Sequence, residues 1–209
     1  DQNALAAEGC DLLFAPSTAE LYPAGRDGLC NVQVPGVSEG LCGGNRPGHF
    51  DGVSTVVTKL FNQVLPDAAF FGEKDFQQVA VIKKMVSDLC IPVEVVTVPT
   101  ARAEDGLALS SRNGYLTDEE RQLATGLYKT LNEIADALNA GESLESSLSA
   151  ASLRLEERGF RPDYVEVRSA TDLSPAASGV AEVVILGAAF LGNARLIDNL
   201  VVTLNRGIV

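Results

Sequence analysis

The chain has 209 residues, of which 46% are hydrophobic and 21% charged, a composition typical of a globular protein with one or two domains. Its 28 acidic and 16 basic residues give a net charge of -12, which argues against binding of duplex DNA or of an anionic membrane surface, since both need an excess of lysine and arginine. The single histidine, His49, excludes a two-histidine metal site within these residues, and the four cysteines form no Cys-x-x-Cys pair.

Strands and helices alternate in the first half of the sequence. Short apolar runs predict strands at residues 12–15, 32–34, 68–71 and 93–98. Helical spacing of apolar side chains predicts helices over residues 1–9, from Asp51 to Leu65 and over residues 75–89. Asp51 is the expected N-cap of the second helix, and Val64, Leu65 and Leu89 are expected to face inward. The strand–helix–strand order predicts a parallel sheet with helices on both faces.

The pattern changes after Pro99. Thr117 and Glu120 have the spacing of a capping box, which predicts the start of a helix that ends at Gly141. A second helix over 144–158 and strands at 164–168, 180–190 and 194–204 follow. Helices followed by a run of strands predict a small α+β domain with an antiparallel sheet. We therefore expect two domains, residues 1–100 and 101–209.

The segment Phe71–Gln78 lies where a predicted parallel strand passes into a helix, the edge of an open α/β sheet at which ligands bind. Gly72 allows close approach of the backbone to a ligand, and Lys74 adds a cation to a helix N-terminus that already favours phosphate oxygens. Asp75 could cap the helix or bind a ribose hydroxyl. An ordinary strand-to-helix turn with a solvated lysine fits the same pattern, so both interpretations stay open.

Two further segments are candidates for chemistry. Ser110, Ser111 and Arg112 combine hydroxyls with a planar guanidinium, a set of donors suited to phosphate, although a polar interdomain loop has a similar composition. A glycine-rich loop carries His49, which could titrate near neutral pH or be merely structural. Neither a Gly-x-Gly-x-x-Gly motif after a strand nor a P-loop motif is present in the sequence.

Taken together, Arg46–Phe50, Phe71–Gln78 and the run from Asp105 to Leu116 resemble the pantoate–β-alanine ligase (pantothenate synthetase) family in both order and spacing. The resemblance continues to Leu196–Asn199. It implies a Rossmann-like domain of the nucleotidyltransferase type, N-terminally incomplete here, with a smaller α+β lid. It also implies ATP-dependent condensation of (R)-pantoate with β-alanine through a pantoyl adenylate, with release of AMP and pyrophosphate. Mg²⁺, a homodimer and a cytoplasmic location are implied as well.

The resemblance also implies site residues. Lys74 would contact phosphate and Asp75 the ribose side, while Ser110 and Arg112 would hold the β- and γ-phosphates and Gln78 would bind pantoate. The catalytic candidates are thus Lys74, Ser110 and Arg112. The nucleotide-binding candidates are Gly72, Glu73, Lys74, Asp75, Ala101, Leu109, Ser110, Ser111 and Arg112. The backbone of Ala101 would meet the adenine, and no metal ligand is assigned.

One motif of the family is missing from these residues. Its N-terminal His-x-Gly-His, with histidines that stabilise the transition state at the α-phosphate, does not occur here. The chain is therefore expected to begin inside the N-terminal domain, and the activity is assigned to the parent enzyme rather than to this chain alone. Two alternatives stay open: an enzyme of the same fold that adenylates another hydroxy acid, and an inactive fragment that binds nucleotide or dimerises.

Overall fold

Two separate sheets organise the chain in a computed structural model, which describes residues 2–205 and 207–208. Among these residues the helices are α1 (Gln2–Ala7), α2 (Thr18–Leu21), α3 (Leu41–Asn45), α4 (His49–Val64), α5 (Phe76–Asp88), α6 (Asp118–Leu123), α7 (Gly126–Asn139) and α8 (Leu144–Glu157). The strands are β1 (Ala68–Gly72), β2 (Glu94–Val98), β3 (Arg161–Ser169), β4 (Glu182–Leu191) and β5 (Ala194–Thr203). The first predicted helix is present, except that Asp1 lies outside the described residues.

The first sheet is parallel, as the strand–helix–strand order predicts. β1 pairs with β2 so that Phe70 lies opposite Val96, and α5 connects the two strands. One face packs on both α4 and α5, because Ala69 and Phe71 belong to the same apolar cluster as the helical side chains. The other face is open among the described residues, where Phe70 is 69% exposed. The expectation of buried strands with helices on both faces is therefore wrong for this part of the chain.

Two predicted strands in the first 50 residues do not form. Residues 12–15 have no strand partner in the described part of the chain, and Leu12 is 83% exposed. Residues 32–34 run alongside α4, where the hydroxyl of Thr55 accepts a hydrogen bond from the Val32 amide at 2.9 Å. Helix side chains thus form the hydrogen bonds that a neighbouring strand would otherwise provide to this backbone. An apolar run does not form a strand unless another strand is available to pair with it.

The first long helix, α4, begins three residues earlier than predicted. Its N-cap is Gly48, which has a φ of 73°, a left-handed conformation that glycine adopts without strain. Asp51 lies in the first turn instead, where its carboxylate accepts hydrogen bonds from Asn31 and Gln33. The inward orientation expected of Val64, Leu65 and Leu89 is also wrong, because these side chains are exposed at the helix ends.

The second sheet is antiparallel, with strand order β3–β4–β5, as predicted. The Thr117–Glu120 capping box is confirmed, but the helix predicted to run to Gly141 is divided into α6 and α7. Both faces of β4 are buried. Ile185 packs in a cluster with Leu131 of α7, whereas the neighbouring Leu186 packs in the cluster that contains Ile82 of α5. This strand therefore joins the core under α7 to the core under α5.

Candidate active site

A cleft lies where the carboxyl end of β1 meets β5. The polar and charged residues that line it are Cys42, Arg46, His49, Lys74, Asp75, Gln77, Gln78, Arg112, Tyr164, Arg195 and Asp198. A narrower extension shares Lys74, Arg195 and Asp198 and adds Ser110 and Asn113. The structure thus brings together five of the sequence-predicted site residues: Lys74, Asp75, Gln78, Ser110 and Arg112. Because they come from distant segments, only the fold places them in one cleft.

The remaining predicted site residues flank the cleft without lining it. Gly72 ends β1, and Glu73 lies on a different groove beside Phe76. Ala101 is exposed, and its carbonyl accepts a hydrogen bond from the Leu109 amide at 2.9 Å. Ser111, which follows in the same segment, is exposed as well.

Lys74 is the central cation of the cleft. It stands in a short 3-10 turn, Glu73–Asp75, which separates β1 from α5. Burial lowers the pKa of its ammonium group, the nearby Arg112 lowers it further, and Asp75 opposes the shift. Two cations that are close together and partly removed from water favour an anion between them. This end of the cleft is therefore suited to phosphate.

Ser110 and Arg112 stand on a hairpin followed by a tight turn. The hairpin is closed by hydrogen bonds from the Ala103 amide to the Leu107 carbonyl and from the Leu109 amide to the Ala101 carbonyl. The Ser110 hydroxyl then accepts a hydrogen bond from the Arg112 amide at 3.2 Å, which caps the 3-10 turn Ser111–Tyr115. This local geometry places a hydroxyl and a guanidinium on one hydrogen-bonded segment.

His49 and Arg46 also line the cleft. The Arg46 guanidinium donates to Nε2 of His49 at 3.1 Å, which leaves the proton of the imidazole on Nδ1. Burial lowers the pKa of His49, with a further decrease from Arg46 and an increase from Asp75. This shift favours the neutral form of the ring. The geometry makes His49 part of the cleft, a role that the sequence left open.

The sequence did not point to the group around Arg195. Its guanidinium donates to one carboxylate oxygen of Asp163 at 2.9 and 2.7 Å. The side-chain amide of Asn45 donates to both oxygens of the same carboxylate at 2.8 Å. Tyr164 contacts Cys42 at 3.2 Å between Oη and Sγ, and burial raises the pKa of the tyrosine hydroxyl, which stays protonated. These contacts tie the segment before His49 to β3 and β5.

A β-bulge explains why the contact between Asp163 and Arg195 could not be predicted from the sequence. The pairing of β3 with β4 shifts between Pro162 and Tyr164, so that Asp163 is the extra residue. A bulge re-aims the side chain of a strand, and it has no sequence signature of its own. Asp163 and Arg195 are also 32 residues apart in the chain. They belong to β3 and β5, which flank β4 on opposite sides, so their side chains meet across the central strand.

The described residues contain no group of three or more histidine, cysteine, aspartate or glutamate side chains arranged to hold a metal ion. Mg²⁺ usually binds proteins through one or two carboxylates and completes its shell with water and substrate phosphates. Within the described residues, Asp75 is the one aspartate on the cleft whose carboxylate is not engaged by an arginine. The residues present therefore fit an ion delivered with phosphate, rather than a protein-only cage.

Comparison with protein families gives one match over most of the chain. The sequence profile described as Pantoate-beta-alanine ligase matches residues 1–201. The pantothenate synthetase of Chromohalobacter salexigens is 59% identical over 206 residues, which are 99% of this chain and 73% of that protein. The pantothenate synthetase of Stutzerimonas stutzeri is 58% identical over 98% of this chain and 72% of its own length.

Solved structures agree with the sequence matches. The pantothenate synthetase of Thermus thermophilus superposes with a TM-score of 0.87 at 46% identity, over 95% of this chain and 72% of that one. A pantoate–β-alanine ligase from Francisella tularensis, solved with β-γ ATP and β-alanine, gives a TM-score of 0.75 at 32% identity, over 96% of this chain and 68% of that one. No helix in residues 2–205 and 207–208 combines the length and hydropathy needed to cross a bilayer.

Proposed function

Because the chain belongs to the pantoate–β-alanine ligase family, we propose that it carries the ATP-dependent condensation of (R)-pantoate with β-alanine to pantothenate. The observation that carries this proposal is the meeting of Lys74, Ser110 and Arg112 at one cleft beside the carboxyl end of a parallel strand. The Francisella relative, solved with β-γ ATP and β-alanine, supports the same substrates here.

The reaction runs in two balanced steps. The pantoate carboxylate attacks the α-phosphorus of ATP, and the bond to the bridging oxygen breaks, which releases pyrophosphate and forms pantoyl adenylate. The amine of β-alanine then attacks the acyl carbon, AMP leaves with the electron pair of the acyl–oxygen bond, and the amine loses a proton. Neither step requires a covalent intermediate on the enzyme.

Negative charge shifts toward the departing pyrophosphate in the first step. Lys74 and Arg112 supply fixed positive charge, and the Ser110 hydroxyl supplies a donor, so that the β- and γ-phosphates are stabilised without rearrangement of solvent. A pantoyl adenylate hydrolyses if water reaches it, which explains why a covered cleft is useful. The role of this chain in the step is therefore to hold and neutralise the triphosphate.

The other assignments complete the nucleotide and pantoate sites. We assign Gly72, Glu73 and Asp75 to the phosphate and ribose side of ATP, and Ala101, Leu109 and Ser111 to the rim that faces the adenine and phosphates. Gln78 is assigned to pantoate, since it lies in the cleft one turn after Lys74. ATP is used as its magnesium complex, with the ion held mainly by the phosphates.

Organisation and location belong to the same proposal. Residues 1–100 form the nucleotide and pantoate domain, and residues 101–209 form the smaller lid. The enzyme acts as a homodimer, as the family resemblance implies. It works in the cytoplasm, where ATP is available and where the thiols of the four cysteines stay reduced.

Release of pyrophosphate tests the proposal directly. The protein is incubated with ATP, Mg²⁺ and pantoate, with and without β-alanine, and pyrophosphate and AMP are quantified. We expect AMP and pantothenate in equal amounts only when both acids are present. Release of pyrophosphate with a different hydroxy acid but not with pantoate would show that the enzyme adenylates another substrate. Binding of ATP without release of pyrophosphate in the presence of any acid would support the alternative of an inactive nucleotide-binding fragment.

Replacing Gln78 with alanine is expected to raise the KM for pantoate by about tenfold, because one to two hydrogen bonds to the substrate are lost. The KM for ATP should stay within twofold of the parent value. Gln63, on α4 and exposed, provides the matched control, since Gln63→Ala removes the same side chain outside the cleft. An unchanged KM for pantoate in Gln78→Ala would contradict the assignment.

The affinity for ATP should fall at alkaline pH because of Lys74. Burial lowers the pKa of the free lysine below its ordinary value, whereas bound phosphate favours the charged form and raises it again. Binding is therefore strongest below the pKa of the free lysine and weakens as the pH rises through that pKa. The dissociation constant is measured by calorimetry between pH 7.5 and about 10.

Lys74→Arg provides the control for this pH dependence. An arginine keeps its charge throughout that range, so the alkaline decline should disappear in the variant. A decline of equal size in Lys74→Arg would therefore assign the pH dependence to another group and contradict the prediction.

A further inference from the structure

Asn199 of β5 is buried against the turn that carries Lys74. Its side-chain amide donates hydrogen bonds to the carbonyl oxygens of Glu73 at 2.9 Å and of Lys74 at 3.0 Å. Only 5% of the residue is exposed, so these bonds are shielded from competition with water. A residue 125 positions away in the sequence thus holds the backbone of the first phosphate-binding segment.

The preceding residue, Asp198, holds the second segment in the same way. Its two carboxylate oxygens accept from the two terminal nitrogens of Arg102 at 2.8 and 2.9 Å. Arg102 donates at 3.1 Å to the Gly106 carbonyl, inside the hairpin that leads to Ser110, and it stacks on the ring of Tyr128. The same carboxylate also accepts a hydrogen bond from the backbone amide of Asn199 at 2.8 Å.

We propose that Asp198 and Asn199 are a pair of positioning residues that set the distance between the two phosphate-binding segments. Asn199 fixes the turn that bears Lys74, and Asp198 fixes, through Arg102, the hairpin that bears Ser110 and Arg112. Adjacent residues of one strand thereby connect both segments. The inference rests on the proposed function, because the ligand positioned between the segments is the triphosphate of ATP.

The chemistry of the two contacts explains how the pair acts. A triphosphate bound by cations from two separate segments loses affinity when their separation fluctuates, since the site must be ordered upon binding. Two hydrogen bonds and a bidentate ion pair, all anchored in β5, remove this freedom in advance. Neither Asp198 nor Asn199 needs to touch the reacting atoms to have this effect.

Asn199→Ala and Asn199→Asp test the first contact. The aspartate is nearly isosteric with asparagine, but an ionised carboxylate cannot donate to the two carbonyls and repels them. We expect both variants to bind ATP about tenfold more weakly than the parent, from the loss of two buried hydrogen bonds. The affinity for pantoate should change less than twofold. Amide hydrogen exchange over residues 72–76 should be faster in both variants.

Asp198→Asn tests the second contact, because the amide keeps the shape of the side chain and loses its charge. We expect weaker ATP binding and faster exchange in residues 101–112. Two changes on α7 provide matched controls. Asn132→Ala removes a side-chain amide that donates to the Tyr128 carbonyl within the helix, and Glu133→Gln neutralises a carboxylate paired with Arg154 and Arg158. Both should leave ATP affinity unchanged.

The outcomes separate this inference from the proposed function. ATP affinity and exchange rates equal to those of the parent in the Asn199 variants would overturn the positioning role, whatever the protein does with pantoate. An equal loss of ATP affinity in Asn132→Ala would also overturn it, since the effect would then be general destabilisation. If the parent binds ATP but does not convert pantoate, only the proposed function is wrong. If the parent binds no ATP, both are wrong.

Discussion

Replacing Lys74 with alanine is expected to slow the release of pyrophosphate by about 10²- to 10³-fold, the usual effect of removing one preorganised electrostatic contact from a transition state. Lys74 is partly buried and lines both parts of the cleft. Water that replaced its ammonium group would therefore stabilise the negative charge of the departing pyrophosphate less well. The effect should appear mainly in kcat, because the charge on the departing pyrophosphate grows as the reaction proceeds.

Two further variants show whether this effect is specific. Lys74→Arg keeps the charge with a different shape and should recover part of the rate. Lys84→Ala removes a lysine of α5 that pairs with Asp88 at the surface, and it should leave the rate unchanged. A Lys74→Ala enzyme within tenfold of the parent rate would mean that the triphosphate is neutralised elsewhere, and the assignment of the cleft would be wrong.

Replacing Asp163 with alanine is expected to lower the free energy of unfolding by about 2–3 kcal/mol, which is less than the cost of breaking a fully buried ion pair. The side chains of Asp163 and Arg195 are 17% and 18% exposed, so Arg195 would keep a charge that is poorly hydrated and unpaired. Asn45 would lose both of its hydrogen bonds to β3 at the same time. For a chain of this length, Tm should fall by roughly 4–12 °C.

This stability loss should come with a local change at the cleft. The Asn45 contact holds the end of α3, and with it the segment that leads to Arg46 and His49, against β3, so amide exchange in residues 41–50 should increase in Asp163→Ala. The control is Asp88→Ala, which removes an exposed ion pair and should cost about 0.5 kcal/mol or less. In a double-mutant cycle, Arg195→Met combined with Asp163→Ala should cost less than the sum of the single changes. If the free-energy costs of the two single substitutions were additive, a direct interaction between Asp163 and Arg195 would be refuted.

The accuracy of the sequence predictions depended on how local their causes were. The parallel pair β1–β2, the antiparallel sheet and the Thr117 capping box were predicted because each follows from short-range patterns or from the order of elements. The strand predicted at 12–15 failed because a strand requires a partner, and an apolar run does not specify one. The start of α4 was misplaced because Gly48 caps it through backbone conformation rather than through a side chain.

The candidate site divides in the same way. The residue types in Phe71–Gln78 and Asp105–Asn113 already indicated phosphate chemistry, since cations, hydroxyls and a helix terminus are needed for it. The lowered pKa of His49 and the group formed by Asp163, Arg195 and Asn45 could not be derived from spacing, because burial causes the first and a β-bulge helps to form the second.

By itself, the sequence determined the strand–helix–strand order of residues 68–98, the excess of acidic over basic residues and the residue types of the two candidate phosphate-binding segments, because these depend on neighbouring residues or on composition. Only the tertiary structure decided that Lys74, Ser110 and Arg112 share one cleft and that Asp198 and Asn199 connect the segments bearing them. The physical reason is that hydrogen bonds and ion pairs act over about 3 Å in space regardless of separation along the chain, and the packing of β5 creates that proximity.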